Sequence, residues 1–162
     1  AAVDGLTIDD TVPIAAALAA AGVDLIDTSS GGISTDRSVD LRVRRGYAFH
    51  ADYSARLRRE VGVPTATVGL VVDPRQAELL LERGDADLVL LGRTALDDPE
   101  WPHHAARVLG EPARSGEEPG AGPGVWGDIR FADALAQRRR VLDRLAANGE
   151  TPLSRFTSPA TE

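Results

Sequence analysis

Leu88-Val89-Leu90-Leu91-Gly92-Arg93-Thr94-Ala95-Leu96-Asp97-Asp98-Pro99-Glu100-Trp101-Pro102 is the stretch whose reading decides the fold. An unbroken apolar run ends in Gly-Arg and breaks into a turn carrying Asp and Pro. Such a run is too uniformly apolar for a half-exposed antiparallel strand and reads as a strand of a parallel sheet covered on both faces. The same phrase occurs upstream. Pro64 to Val71 is apolar with Gly69 near its end, and Val23-Asp24-Leu25-Ile26-Asp27 leads into the small-residue loop Thr28-Ser29-Ser30-Gly31-Gly32. Helical segments separate these runs. One begins at Thr7, a possible N-cap with Asp10 three residues on, and closes at Gly22; a second covers about Phe49 to Val61; a third covers Pro74 to Glu82, with Gly84 after it. Strand and helix in alternation mean parallel strands joined by crossover helices.

Downstream, Asp98 suits an N-cap with Pro99 at the first position of a further helix. Glu111 to Gly127 is crowded with Gly and Pro and reads as a linker. Ile129 to Leu145 is helical again, with Arg138-Arg139-Arg140 read as a solvated face, and Thr151 to Glu162 is expected to be loosely held.

Composition narrows the function. With 162 residues the chain is long enough for one domain with a core plus a tail, and with only 4% aromatics that core is built from Val, Leu, Ile and Ala. The absence of Cys excludes disulfides and thiolate chemistry. All 18 basic residues are Arg, which excludes a Schiff-base lysine and the phosphate-binding lysine of a P-loop. A net charge of -7 argues against a nucleic-acid or anionic-membrane binder. No run approaches the ~20 apolar residues of a membrane span. A soluble, cytoplasmic protein is expected.

In a parallel sheet, the loops after the strands line the ligand crevice, and glycine there lets an anion approach the backbone. Val68-Gly69-Leu70 and Leu91-Gly92-Arg93 fit a pair of phosphate-binding loops, with Arg93 as a clamp. The alternative is that Gly92 eases a turn while Arg93 pairs with Asp97 or Asp98. Ser29 and Ser30 stand at the corresponding end of the first strand, as crevice residues or as a plain turn. His103 and His104 are adjacent on a helix and point about 100° apart, so no metal site is expected. His50 stands alone, and no residue set forms a catalytic constellation.

Taken in order, Gly5-Leu6-Thr7-Ile8-Asp9-Asp10-Thr11, Gly22 to Gly32, Val68-Gly69-Leu70-Val71, Gly84 to Arg93 and Asp98-Pro99-Glu100-Trp101-Pro102 resemble the C-terminal part of the Old Yellow Enzyme family of NADH:flavin oxidoreductases. The likeness runs from about Gly5 to Gly110. It implies a C-terminal fragment of a TIM (β/α)8 barrel, about three βα units, since a whole barrel takes about 250 residues. It further implies non-covalent FMN, NAD(P)H as reductant, and an activated alkene of the enone type as substrate. Cofactor-binding roles pass by resemblance to Gly69, Leu70, Gly92 and Arg93, and Ser29 is carried over to the ribityl or phosphate end.

The family's substrate-binding His pair, its proton-donor Tyr and a flavin-contacting Arg belong before Ala1, so no catalytic residue is assigned and the isolated chain is expected to be inactive. The expected organisation is a partial FMN-binding barrel at 1–110, a linker at 111–127 and a helical extension at 128–162. Three parallel strands leave open edges, so a complementary barrel half or a homo-oligomer is the expected partner. The other reading is a non-catalytic flavin-fold module used for assembly or interaction.

Overall fold

The first helix starts where its capping residues require. Thr7 Oγ1 accepts from the Asp10 N–H at 3.3 Å, and the Asp10 carboxylate accepts from the Thr7 N–H at 2.9 Å, a reciprocal capping box. The Thr7 hydroxyl, which donates to the same carboxylate at 2.7 Å, and then the Thr7 N–H hold the Asp10 carboxyl below its usual range. In the computed structural model, which describes residues 5–30, 45–110 and 129–157, this helix is α1 (Ile8–Ala20). It is followed by β1 (Ile26–Thr28), α2 (Ala51–Val61), β2 (Thr65–Thr67), α3 (Pro74–Glu82), β3 (Leu88–Val89), α4 (Arg93–Asp97), α5 (Trp101–Leu109), α6 (Ile129–Ala147) and α7 (Ser154–Thr157). The expected linker at 111–127 lies outside the described residues.

The strands form one parallel sheet in the order β1-β2-β3, with Ile26 opposite Thr65 and Thr67 opposite Val89. The expected α/β alternation is therefore present. These three strands do not close a barrel, and among the described residues both outer edges are unpaired. The ladder is shorter than the apolar runs because the backbone leaves it at once: after Thr67 the chain reaches Gly69 at φ 116° and Leu70 at φ 52°, values a strand does not take.

Asp87 sets the register at the other end. Its carboxylate receives both Arg58 Nε (3.0 Å) and the Thr65 N–H (2.9 Å), tying α2 and the start of β2 to the start of β3. The Thr65 bond and then the guanidinium lower its pKa.

Side chains alternate across a strand, so the two faces differ. Val89 joins the core of Ala48, Ala51, Val71, Ala77 and Leu80, where Trp101 and Phe156 also pack. Leu88 and Leu90 point the other way and remain 51% and 38% exposed. A parallel sheet normally has both faces covered. Thr67, in register with Val89, is buried on the core side with no partner for its hydroxyl. Thr67→Val is expected to raise stability by about 1 kcal/mol, since an unsatisfied buried hydroxyl is lost at constant shape; urea unfolding with an unchanged m-value checks it.

Two expectations are corrected. Asp98 does not cap a helix beginning at Pro99: it ends α4, and α5 begins at Trp101 with Pro102 in its first turn. Asp98 instead accepts from the Glu100 N–H (3.1 Å) and bonds His104 Nδ1 (2.6 Å). The tail is not wholly loose either, because Phe156 of α7 packs on the core beneath the Arg83 guanidinium, 5.5 Å from its ring centre, and Arg155 pairs with Asp52.

Candidate functional site

The tips of β2 and β3 meet. Between them lies a pocket of about 70 Å³, walled by Gly69 and Leu70 on one side and by Gly92, Arg93 and Thr94 on the other, with Arg138 of α6 completing it. A larger depression of about 360 Å³ is lined by α6 residues alone, among them Leu135, Arg139 and Asp143. With every wall from one helix, it is a surface groove.

The β2 tip takes its shape from what lies beneath it. A Cβ on Gly69 would stand 2.7 Å from Phe49 Cε1 and 3.1 Å from His50 Nδ1, so the missing side chain is required by packing as well as by the positive φ. Around Gly92 the situation is opposite: a Cβ would meet nothing within 4 Å. That open space adjoins the pocket.

Hydrogen-bond accounting shows what this backbone offers a ligand. The Val68 carbonyl bonds to His50 Nδ1 (3.0 Å), Leu70 accepts from Gln76 Nε2 (3.2 Å), Val71 from Thr94 Oγ1 (2.8 Å) and Val72 from Trp101 Nε1 (3.2 Å). Gln76 turns its other end to the Val72 N–H at 3.0 Å. The carbonyl oxygens are thus drawn back into the protein by side chains. Among the described residues the N–H groups of Gly69, Leu70, Val71, Arg93 and Thr94 meet no acceptor. A backbone with its acceptors spent and its donors spare suits an anion.

Electrostatics agree. Burial first, then the nearby guanidinium groups of Arg45 and Arg138, lower the pKa of Arg93. Arg93 bonds Gln137 Oε1 at 3.2 Å and pairs with neither Asp97 nor Asp98. The turn-and-salt-bridge alternative for Arg93 is therefore not what forms. Asp97 instead holds Arg138 Nη1 at 2.7 Å. Arg138 corrects the expected solvated Arg face: its side chain is only 13% exposed, while Arg139 and Arg140 face solvent.

His50 ties the tips of β1 and β2 together. Because its Nδ1 faces the Val68 carbonyl, that nitrogen carries the proton, and Nε2 accepts from Ser30 Oγ at 2.7 Å. Burial lowers its pKa below 6.5. A neutral imidazole preferred by the fold contributes stability present above about 6.5, the unfolded value, and lost as pH falls through the lowered folded value. Urea unfolding at pH 7.5 and 5.5 is expected to show lower stability in acid, with a smaller decline in His50→Gln.

Of the residues singled out from sequence, Gly69, Leu70, Gly92 and Arg93 come together in one pocket. Ser29 is exposed, makes no hydrogen bond among the described residues and does not line the pocket; its neighbour Ser30 is the residue engaged. Gly31 and Gly32 lie outside the described residues. Gln76, His50 and Arg138 carry or shape the site without a motif that announces them, and Thr94 and Trp101 stand in the quoted stretch with no role read from it. Among the described residues no group of His, Cys, Asp and Glu could hold a metal, and no helix is long and apolar enough to cross a membrane.

Comparison with known proteins gives an independent result. A sequence model of the NADH:flavin oxidoreductase / NADH oxidase family matches residues 2–111. The NADPH dehydrogenase of Geobacillus thermodenitrificans (strain NG80-2) is 45% identical over 107 residues, 66% of this chain and 30% of that protein. The NADPH dehydrogenase of Geobacillus sp. (strain WCH70) is 43% identical over the same length. The chain spans about 30% of the length of these curated relatives.

Proposed function

The chain belongs to the NADH:flavin oxidoreductase / NADH oxidase family, and on that premise we propose that it supplies the phosphate-binding end of an FMN site in an NAD(P)H-dependent oxidoreductase acting on activated alkenes. FMN with NAD(P)H as reductant is the cofactor chemistry of that family. The observation that carries the reading is the meeting of the β2 and β3 tips, with carbonyls tied back, N–H groups spare and Arg93 beside them. When bound, the flavin supplies the hydride chemistry. This chain's residues hold and orient it: the tip N–H groups and Arg93 take the phosphate, and Thr94 locks the two tips at one spacing through Val71.

The size of the pocket limits the role. About 70 Å³ accommodates a phosphate group, whereas whole cofactor sites enclose roughly 300–1,000 Å³. The isoalloxazine ring must rest on surface that the described residues do not provide. The apolar sheet face of Leu88 and Leu90 and the two open sheet edges support a role as one part of a larger (β/α)8 barrel, inactive alone.

The test is to add FMN to the full chain, with and without a polypeptide providing the family's upstream barrel strands. Flavin colour is expected to co-elute with the mixture on gel filtration, with NADPH-driven enone reduction in the mixture alone. Flavin that stays free in both samples refutes the site.

A further inference from the structure

Resting on the flavin-phosphate reading above, we infer that Arg138, on a helix beyond the family-matched segment, is a direct ligand of the phosphomonoester and makes with Arg93 a two-guanidinium clamp.

α6 is held beside the strand tips by its contacts with α4. It touches α4 through two reciprocal pairs one helical turn apart: Arg93 to Gln137 at 3.2 Å, and Asp97 to Arg138 at 2.7 Å. These contacts place consecutive residues of α6 against the segment that follows Gly92. Asp97 satisfies one end of the Arg138 guanidinium only. Arg138 Nε is buried with no hydrogen-bond partner, although the side chain lines the same pocket as Gly69 and Gly92.

A buried donor of a charged group left unpaired is costly, more so than for a neutral one. Three guanidiniums, of Arg45, Arg93 and Arg138, lie close together, and Asp97 is the carboxylate paired with them among the described residues. Such a cluster carries surplus positive charge that an anion would neutralise. A phosphomonoester bears about -1.5 to -2 at neutral pH and offers three acceptor oxygens, enough for the spare N–H groups and both arginines at once.

Asp97 is a positioning residue in this arrangement. It orients the guanidinium and leaves Nε to the ligand. Sequence beyond the family match thereby becomes part of the cofactor site, which explains why α6 docks at the strand tips.

The experiment titrates the full 162-residue chain with inorganic phosphate, following arginine Nε–Hε resonances by NMR, and measures FMN and riboflavin affinity by flavin fluorescence. In the wild-type chain the Arg138 resonance, assigned by its absence in Arg138→Lys, is expected to shift with phosphate. Arg138→Gln is expected to weaken phosphate about tenfold or more, from the loss of a charge-assisted bond. It should lower the preference for FMN over riboflavin by a similar factor, while Arg139→Gln on the same helix changes neither. Wild-type affinity for phosphate and FMN in Arg138→Gln overturns the inference and leaves the flavin reading standing. An Arg138-dependent phosphate site supports the anion ligand, and flavin that stays free even when the upstream barrel strands are added sinks the flavin reading. If Arg138→Gln fails to fold by circular dichroism, the resonance decides: no shift with phosphate overturns the assignment.

Discussion

Gly69→Ala is expected to cost about 3 kcal/mol of folding stability, from a strained positive-φ alanine together with overpacking. The added methyl would fall 2.7 Å from the Phe49 ring and 3.1 Å from His50, and φ at this position is 116°. His50 is not a free end that can swing away, because it bonds both Ser30 and the Val68 carbonyl. Relief therefore has to come from the backbone of the tip itself. Gly92→Ala provides the contrast. No heavy atom lies within 4 Å of its new methyl, so stability should stay within about 0.5 kcal/mol. The methyl would nevertheless occupy space beside the pocket, so FMN affinity should fall. Chemical denaturation and flavin titration of both variants separate the two roles; equal destabilisation by both would show that packing under Gly69 has been misjudged.

Leu80→Ala is expected to be comparably severe, about 3 kcal/mol, in the range for a leucine truncated in a close-packed interior. Leu80 is fully buried on α3, in the cluster with Ala77, Val71 and Ala51. Few large side chains share that core, so neighbours made mostly of alanine have little freedom to fill the space. The effect should extend to the site. Val71, in contact with this cluster, carries the carbonyl that Thr94 holds, and the spacing of the two tips depends on that bond. Urea unfolding measures the stability loss, and weaker phosphate binding at a denaturant-free temperature where the variant stays folded tests the coupling.

Parts of the fold were plain in the chain as written. Thr7 and Asp10 marked the start of α1, Pro74 the start of α3, and the glycines after the helices their ends, because these signals act within a turn of the helix terminus. The apolar runs ending at Gly69 and Gly92 identified the two tips for a similar reason: glycine after a parallel strand is a local signal. Asp98-Pro99 misled because an Asp accepting from the N–H two residues on serves a turn as well as an N-cap, and the chain uses those residues in the turn between α4 and α5.

The site was legible only at its backbone. Nothing in the sequence ties Gln76, Thr94 and Trp101 to the site, and each matters because it reaches a carbonyl of the 70–72 segment from 6 to 29 positions away. Arg138 read as one of three solvated arginines, and burial of one among them depends on the docking of α6 against α4, a contact 41 residues long in sequence.

By itself, then, the order of residues determined the alternation of strand and helix, the parallel sense of the sheet and the two glycine tips, since propensity, capping and periodicity act over a few residues. Tertiary structure alone decided which side chains consume the tip carbonyls, which arginine turns inward and which sheet face is left bare. Those outcomes come from hydrogen bonds and charge contacts between distant segments, whose strength depends on a distance in space that no local pattern encodes.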